Sequence, residues 1–271
     1  MMIGRYIRQK LLKPFELLAS KDIDISGIET TGIILGPYRN LTTLTVGIMA
    51  LHPNIQVLNH AGQRILPNDL LNFFKSTDRQ TYERFLKYAV HISKGGRRGD
   101  YGGSVILSHA FTHDKIKKLF ENRFGDKKIK DDIRCLFWKE SLRISNYIRS
   151  HNVNLHNLIY NIPGLRFIQP VRNPMDCAKS NLKTGHAEIF GGIEGKPDIY
   201  SVITSILNEY KWFEDQQSEF PEHFLMFTEK SMDKKKIEKI AEFLNLPKDE
   251  KWTRDSLDVF DIKKSYDHDK N

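Results

Sequence analysis

Along this chain, short apolar runs alternate with stretches in which apolar residues recur every three or four positions. Thr31–Gly36 (TGIILG) is such a run and predicts a buried strand. A helix follows through Leu51 and ends at His52-Pro53, because a proline disfavours helical geometry at the residue before it. Further strands are predicted at Ile55–Leu58, Ser104–Leu107, Arg134–Phe137, Leu165–Val171 and His223–Phe227. Helical periodicity is clearest over Ile199–Phe213, where Val202, Ile206, Tyr210 and Phe213 share a face. It recurs over Lys234–Leu244, with Ile237, Ile240, Ala241 and Leu244. Strands alternating with helices specify an α/β class, a three-layer α/β/α unit around a mainly parallel central sheet. Such sheets bind ligands beyond the C-terminal ends of their strands.

Residues 1–30 read as a basic lead-in, with Arg5, Arg8, Lys10 and Lys13 set among leucines, and residues 31–271 as a single domain. The lead-in has neither the long apolar run nor the small-residue cleavage site of a signal peptide. No stretch approaches the roughly 20 apolar residues needed to cross a bilayer. Two loop-like stretches, Gly95–Gly103 (GGRRGDYGG) and Gly185–Pro197, read as insertions on the rim.

Composition sharpens this only in part. With 39% hydrophobic and 11% aromatic residues, the chain is built to fold around a core. Cys135 and Cys177 make neither a metal-ligand cluster nor a disulfide framework, which fits a reducing, cytoplasmic setting. The net charge of +8 implies an anionic partner without naming it.

Two segments carry candidate chemistry. In the first, Gly36-Pro37-Tyr38-Arg39-Asn40-Leu41-Thr42-Thr43-Leu44 joins the first strand to the first helix. A strand turning directly into a helix aims free backbone N–H groups and the positive end of the helix dipole at one point, which is an anion site. Arg39 adds a planar donor fork, and the Thr42 and Thr43 hydroxyls can donate to the same oxygens. The spacing approaches a Walker A loop but has Thr42 where that loop needs its lysine and Leu41 where it needs its second glycine. In the second segment (LRFIQPVRNPMDCAKSN), Asn173 is a natural N-cap, Pro174 suits the first helical position, and Arg172 stands at the strand's C-terminal edge.

Taken in this order, the two segments resemble those of PAPS-dependent sulfotransferases, with a motif layout nearest to bacterial and tyrosylprotein-type members. That family's 5′-phosphosulfate loop carries Lys or Arg before Ser-Gly-Thr-Thr; Arg39, Thr42 and Thr43 match, while Asn40 and Leu41 replace serine and glycine. Its second corner reads R-[DN]-P-x-D-x-x-x-S, matched by Arg172, Asn173, Pro174, Asp176 and Ser180. The resemblance implies a P-loop NTPase-like fold and PAPS (3′-phosphoadenosine-5′-phosphosulfate) as co-substrate. Arg39, Asn40, Leu41, Thr42 and Thr43 would then lie at the 5′ end, and Arg172 and Ser180 at the 3′-phosphate. Lys263 and Lys264 are candidates for late basic contacts. Glu229 matches the acidic position of the family's late strand, where Thr228 replaces the tyrosine that commonly flanks adenine.

For catalysis, Lys139 is similar to a lysine that ends a strand in tyrosylprotein-type members, with Glu140 following it and Ser141 in place of their proline. His60 stands where those members carry a catalytic glutamate after a His-Pro-Asp run, and His109 resembles the Lys-Thr-His strand end of cytosolic members. Imidazole titrates near neutrality, so either can serve as the base; His113 and His186 are lesser candidates. No metal-ligand motif is present in the sequence, and neutralisation by Arg and Lys requires no metal. The acceptor would be a glycan or another small molecule rather than nucleic acid, met by loops carrying Arg97, Arg98, Lys183 and His186. A nucleotide kinase-like enzyme and a non-catalytic polyanion-binding protein are the alternative readings.

Overall fold

A computed structural model describes residues 15–95, 103–193, 195–228 and 232–268, with the side chains of residues 107 and 261–268 left aside. Arg97, Arg98, Glu229 and the side chains of Lys263 and Lys264 therefore lie outside the described residues. The chain begins its sheet with β1 (Thr30–Ile34), α1 (Thr42–Leu51) and β2 (Ile55–Asn59). Two single turns, α2 (Gly62–Ile65) and α3 (Phe73–Ser76), lead to α4 (Arg79–Ser93) and β3 (Gly103–Ser104). Then come α5 (Asp114–Phe124), β4 (Cys135–Lys139), α6 (Leu142–Ser150), α7 (Leu155–Asn161), β5 (Leu165–Val171) and α8 (Pro174–Thr184). The chain continues with α9 (Ile199–Glu219), β6 (Phe224–Thr228), α10 (Lys234–Phe243) and α11 (Glu250–His268).

The strands form one sheet in the order β3-β2-β4-β1-β5-β6, parallel except for β3, which pairs antiparallel with β2. Every residue of β1, β2 and β4 is buried, because both faces are covered; this is why these strands read as continuous apolar runs rather than as alternations. Ile34 points into a cluster shared with α1, α5, α10 and α11, and Ile33 into one shared with α4, α6, α7 and α9. The result is the α/β architecture of helices on both faces of a mainly parallel sheet. From β1 the chain moves to one side for β2 and β4, then crosses to the other side for β5 and β6. The winding reverses at β1, and in sheets of this kind ligands bind beyond the C-terminal strand ends at such a reversal.

The two ends of α1 are treated differently. Three of its last four carbonyls find side-chain donors: Trp252 Nε1 to Ile48 O (2.7 Å), Lys130 Nζ to Ala50 O (2.7 Å), and Arg123 to Leu51 O; the fourth, Met49 O, accepts from His52 N (3.1 Å). Lys130 also donates to the carbonyls of His52 and Ile55. Two cations thus sit at the negative end of the helix dipole. At the other end, Leu41 occupies the N-cap with no side-chain hydrogen bond, leaving the first-turn N–H groups uncapped by side chains.

The predicted strands agree with the observed ones to within a few residues except at Ser104–Leu107. There the strand stops at Ser104, whose hydroxyl accepts from Ile106 N and starts a 3₁₀ turn over Val105–Leu107. His109 accordingly begins a second 3₁₀ turn, His109–Thr112, instead of ending a strand. The second half of the lead-in packs against the domain: Leu17, Ile23, Ile25 and Ile28 lie on the core, and Glu16 pairs with Arg64. Cys135 and Cys177 are both buried and free. Among the described residues, no helix is long and apolar enough to cross a membrane.

Candidate functional site

The site is built on one edge of the sheet from four segments that each leave a strand C-terminus. The loop after β1 turns through Gly36 at φ 95°, Arg39 at φ 59° and Leu41 at φ 61°. Gly36 is required here: a Cβ would come within 2.8 Å of the Gln169 side chain, and the backbone is left-handed. Leu41 takes the left-handed conformation that a glycine would hold in such a loop, at a cost of about 1–3 kcal/mol, while burying its side chain. After β2, His60 and Ala61 are left-handed as well (φ 61° and 78°), and after β4 Ser141 has φ 54°. This concentration of positive-φ residues is backbone held in place by its surroundings.

Hydrogen bonds lock the segments to one another. Gly36 N donates to Ser145 Oγ (3.1 Å), Ser141 N to Ile34 O (3.0 Å), and His60 N to Lys139 O (2.8 Å). Trp138 Nε1 donates to His60 O at 2.6 Å. The Tyr38 carbonyl accepts from Asn181 Nδ2 (2.8 Å) and Cys177 Sγ (3.3 Å), fastening the first loop to α8. At the second corner Asn173 caps α8 by accepting from Met175 N and Asp176 N, with Pro174 in the first turn, as its sequence specifies.

Arg39, Asn40, Leu41, Thr42, Thr43, Lys139, Arg172, His60 and Ser180 all lie on this edge. Arg39 reaches the second corner directly, its Nε donating to Ser180 Oγ at 2.9 Å. The Asn40 side chain is fully buried and committed: Nδ2 donates to Pro170 O, and Oδ1 accepts from Arg172 N (2.9 Å). Any contact from Asn40 to a ligand must therefore come from its backbone. Arg172 has a buried Nε with no partner. Arg39, Lys139 and Arg172 make no ion pair with any described carboxylate.

Lys139 is buried at the end of β4. Burial lowers its ammonium to about 8, opposed by the attraction of Glu140 and assisted by the charge of Arg39. It remains mostly charged at neutral pH. Glu140 was not singled out for a role in the sequence, yet its Oε2 accepts from Gly62 N at 2.7 Å and its Oε1 faces Arg143 Nε at 3.1 Å. Burial raises its carboxyl to about 7 despite those two donors and Lys139. Gly62 allows this approach, since a Cβ would meet the Glu140 carboxyl carbon at 2.7 Å. Burial lowers His60 to about 3, with the charges of Lys139, Arg143 and His109 adding to the effect; it is neutral over the physiological range. His109 is exposed. His186 bonds Thr184 Oγ1 (2.6 Å) with its ring 5.5 Å from that of Tyr38, while His113 precedes α5. Lys183 is exposed near the end of α8, and Thr228 pairs in register with Val171, beside Arg172.

A cavity of about 770 Å³ lies at the opposite edge, lined by Glu29, Tyr82, Pro163 and Gly164 among others, and shares none of these residues. Among the described residues, no group of three or more His, Cys, Asp or Glu side chains is placed to hold a metal ion.

No family model matches this chain. No curated protein matches it either. Among solved structures, it is similar to one described as "Sulfotransferase Domain from the Curacin Biosynthetic Pathway", with 15% identity and a TM-score of 0.44 over 82% of this chain and 76% of that one.

Proposed function

We propose that this chain is a PAPS-dependent sulfotransferase acting on a hydroxyl or amine acceptor. The observation that carries this reading is the set of three cations, Arg39, Lys139 and Arg172, gathered at one sheet edge with no described carboxylate at ion-pair distance, although Glu140 attracts Lys139 from farther off. A buried guanidinium nitrogen with no acceptor, beside a helix N-terminus with no side-chain cap, is chemically suited to a multiply charged phosphate ligand. The sequence motifs at both corners favour a donor with phosphates at its 5′ and 3′ ends.

In this reading Arg39, Thr42, Thr43 and the first N–H groups of α1 hold the 5′-phosphosulfate, and Arg172 with Ser180 holds the 3′-phosphate. The acceptor oxygen or nitrogen forms a bond to sulfur as the bond from sulfur to the 5′-phosphate oxygen breaks. The acceptor's proton passes to His109 or to His60, of which His60 is made the weaker base by the burial that lowers it to about 3, and the nucleotide leaves as adenosine 3′,5′-bisphosphate (PAP). Lys139 neutralises the charge that grows on the departing phosphate. A nucleotide kinase reading is weakened by Thr42, which stands where an NTP-binding loop places its lysine.

Calorimetry with PAP, ATP and heparin tests the reading. Submicromolar PAP binding without ATP binding is the expected result. ATP binding in preference to PAP would favour a kinase, and heparin binding alone would leave only a polyanion-binding protein.

A further inference from the structure

Between the two corners lies a buried bridge that neither motif accounts for. Asn40 is 0% exposed, and its one amide spans the gap between the strands: Nδ2 to the Pro170 carbonyl, Oδ1 from the Arg172 N–H. The same Oδ1 accepts from the Tyr210 hydroxyl at 2.8 Å, and that hydroxyl also lies 3.1 Å from the Arg172 carbonyl. Tyr210 comes from α9, with its ring packed against the small cluster formed by Cys177, Ala178, Val202 and Ile206. Burial raises the pKa of its hydroxyl, so it remains a donor. The Arg172 N–H is thus held by Asn40, and the Arg172 carbonyl shares the single Tyr210 hydroxyl proton with Asn40 Oδ1.

We propose that Tyr210, acting through Asn40, is a positioning residue that couples the two corners, so that the chain gains affinity from both phosphates of one nucleotide together. This rests on the PAPS reading above. A serine hydroxyl at position 40 could not donate and accept across the same span, whereas a planar amide can. The Arg172 backbone sets the direction in which the side chain leaves the strand, and the buried Nε has no partner of its own. The backbone is in turn set by the first loop. Because these bonds already hold the first loop, the Arg172 backbone is in place when a nucleotide meets Arg39–Thr43, and the cost of ordering it is not met on binding.

The test is calorimetry on Tyr210→Phe and Asn40→Ser with two ligands, PAP and adenosine 5′-phosphosulfate, which lacks the 3′-phosphate. Tyr210→Phe is expected to weaken PAP about tenfold and adenosine 5′-phosphosulfate less than threefold, so that the preference between them collapses. In an Arg172→Ala background the same change is expected to cost less than twofold for PAP. Asn40→Ser should reproduce the loss of preference, and near-UV circular dichroism checks that each variant is folded. Equal losses for both ligands, or an unchanged preference in Tyr210→Phe, would overturn the coupling role even if the wild type binds PAP tightly. A wild type that binds PAP no better than adenosine 5′-phosphosulfate would overturn the donor reading, and the coupling with it.

Discussion

The Nε of Arg39 donates to the Oγ of Ser180 at 2.9 Å, although 141 positions separate them in sequence. One residue belongs to the loop after β1 and the other to α8, so both corners face the same space. A ligand that spans them has to intervene in, or add to, this hydrogen bond. Arg39→Ala and Ser180→Ala should each weaken PAP binding, by roughly 10–150-fold for the loss of a charge-assisted hydrogen bond. Because the two side chains touch, the double variant should lose less than the product of the single losses. A fully multiplicative loss in calorimetry would show that they act independently, and would overturn their working as one contact.

Arg172→Ala should discriminate between nucleotides. The buried Nε has no acceptor in the protein, so an incoming 3′-phosphate is its natural partner. PAP affinity should fall by about tenfold or more, and that of adenosine 5′-phosphosulfate by much less. Equal losses would reject the assigned contact.

Both corners were legible in the sequence because their signals are local. Asn173-Pro174 starts a helix by capping chemistry, His52-Pro53 ends one by sterics, and Leu165–Val171 is apolar enough to be covered on both faces. Ser104–Leu107 was misread because Val-Ile-Leu fits a strand equally well, and only the Ser104 hydroxyl turns it into a 3₁₀ segment. The fifteen-residue helix Arg79–Ser93 carries Phe85, Leu86, Ala89 and Val90 on its buried face and did not stand out by periodicity. What could not be read are the contacts between distant residues: Tyr210 with Asn40, Glu140 with Gly62, Lys130 with the end of α1. Tyr210 was recognised as a member of a helical face, but the destination of its hydroxyl depends on where another loop folds.

The lowered pKa of Lys139 gives two trends of opposite sign. In the proposed role the Lys139 ammonium meets the 5′-phosphate, so PAP affinity should decline as pH rises through about 8, and Lys139→Met should remove that dependence while weakening binding at pH 7. Stability runs the other way. Between about 8 and the ordinary lysine value of 10.5 the unfolded chain holds a proton that the folded chain has lost, so this group's contribution to stability rises with pH over that window. Calorimetry and urea unfolding of wild type and Lys139→Met between pH 7 and 10 check both. A PAP affinity that is flat in pH for the wild type would remove Lys139 from the phosphate site.

The base is decided by single-turnover transfer, using an acceptor found by screening with labelled PAPS. His60→Ala or His109→Ala should slow the chemical step at least tenfold; if neither does, both assignments fail. His60 also has a signature in the free protein. With its folded pKa near 3, the unfolded chain binds a proton between there and 6.5 that the folded chain excludes, so stability is lost as pH falls through this range. His52, buried with its Nδ1 accepting from Asn54 N and lowered to about 4, acts in the same direction. His60→Ala should therefore lose less stability between pH 7 and 4 than the wild type, by on the order of 1–3 kcal/mol. An NMR titration showing His60 protonating near 6.5 would contradict this.

Lys130 offers a test of the scaffold that does not depend on any ligand. Its ammonium is buried, and its pKa is well below the ordinary value because of that burial, yet it donates to the carbonyls of Ala50, His52 and Ile55. Lys130→Met would keep most of the volume while removing the donor to Ala50 O at the end of the helix whose other end faces the site, and one donor each to Ile55 O and to His52 O, which keeps Ile55 N. Unsatisfied buried acceptors cost about 1–3 kcal/mol each, offset in part because desolvating the ammonium is no longer required, so a net loss of about 2–4 kcal/mol is expected. Lys127→Met serves as the control: Lys127 forms an exposed pair with Asp131 one helical turn away in sequence spacing, and its loss should change stability by less than about 0.5 kcal/mol. Urea unfolding measures both, and a Lys130→Met protein as stable as the wild type would mean that the α1 terminus is held by Arg123 and Trp252 alone.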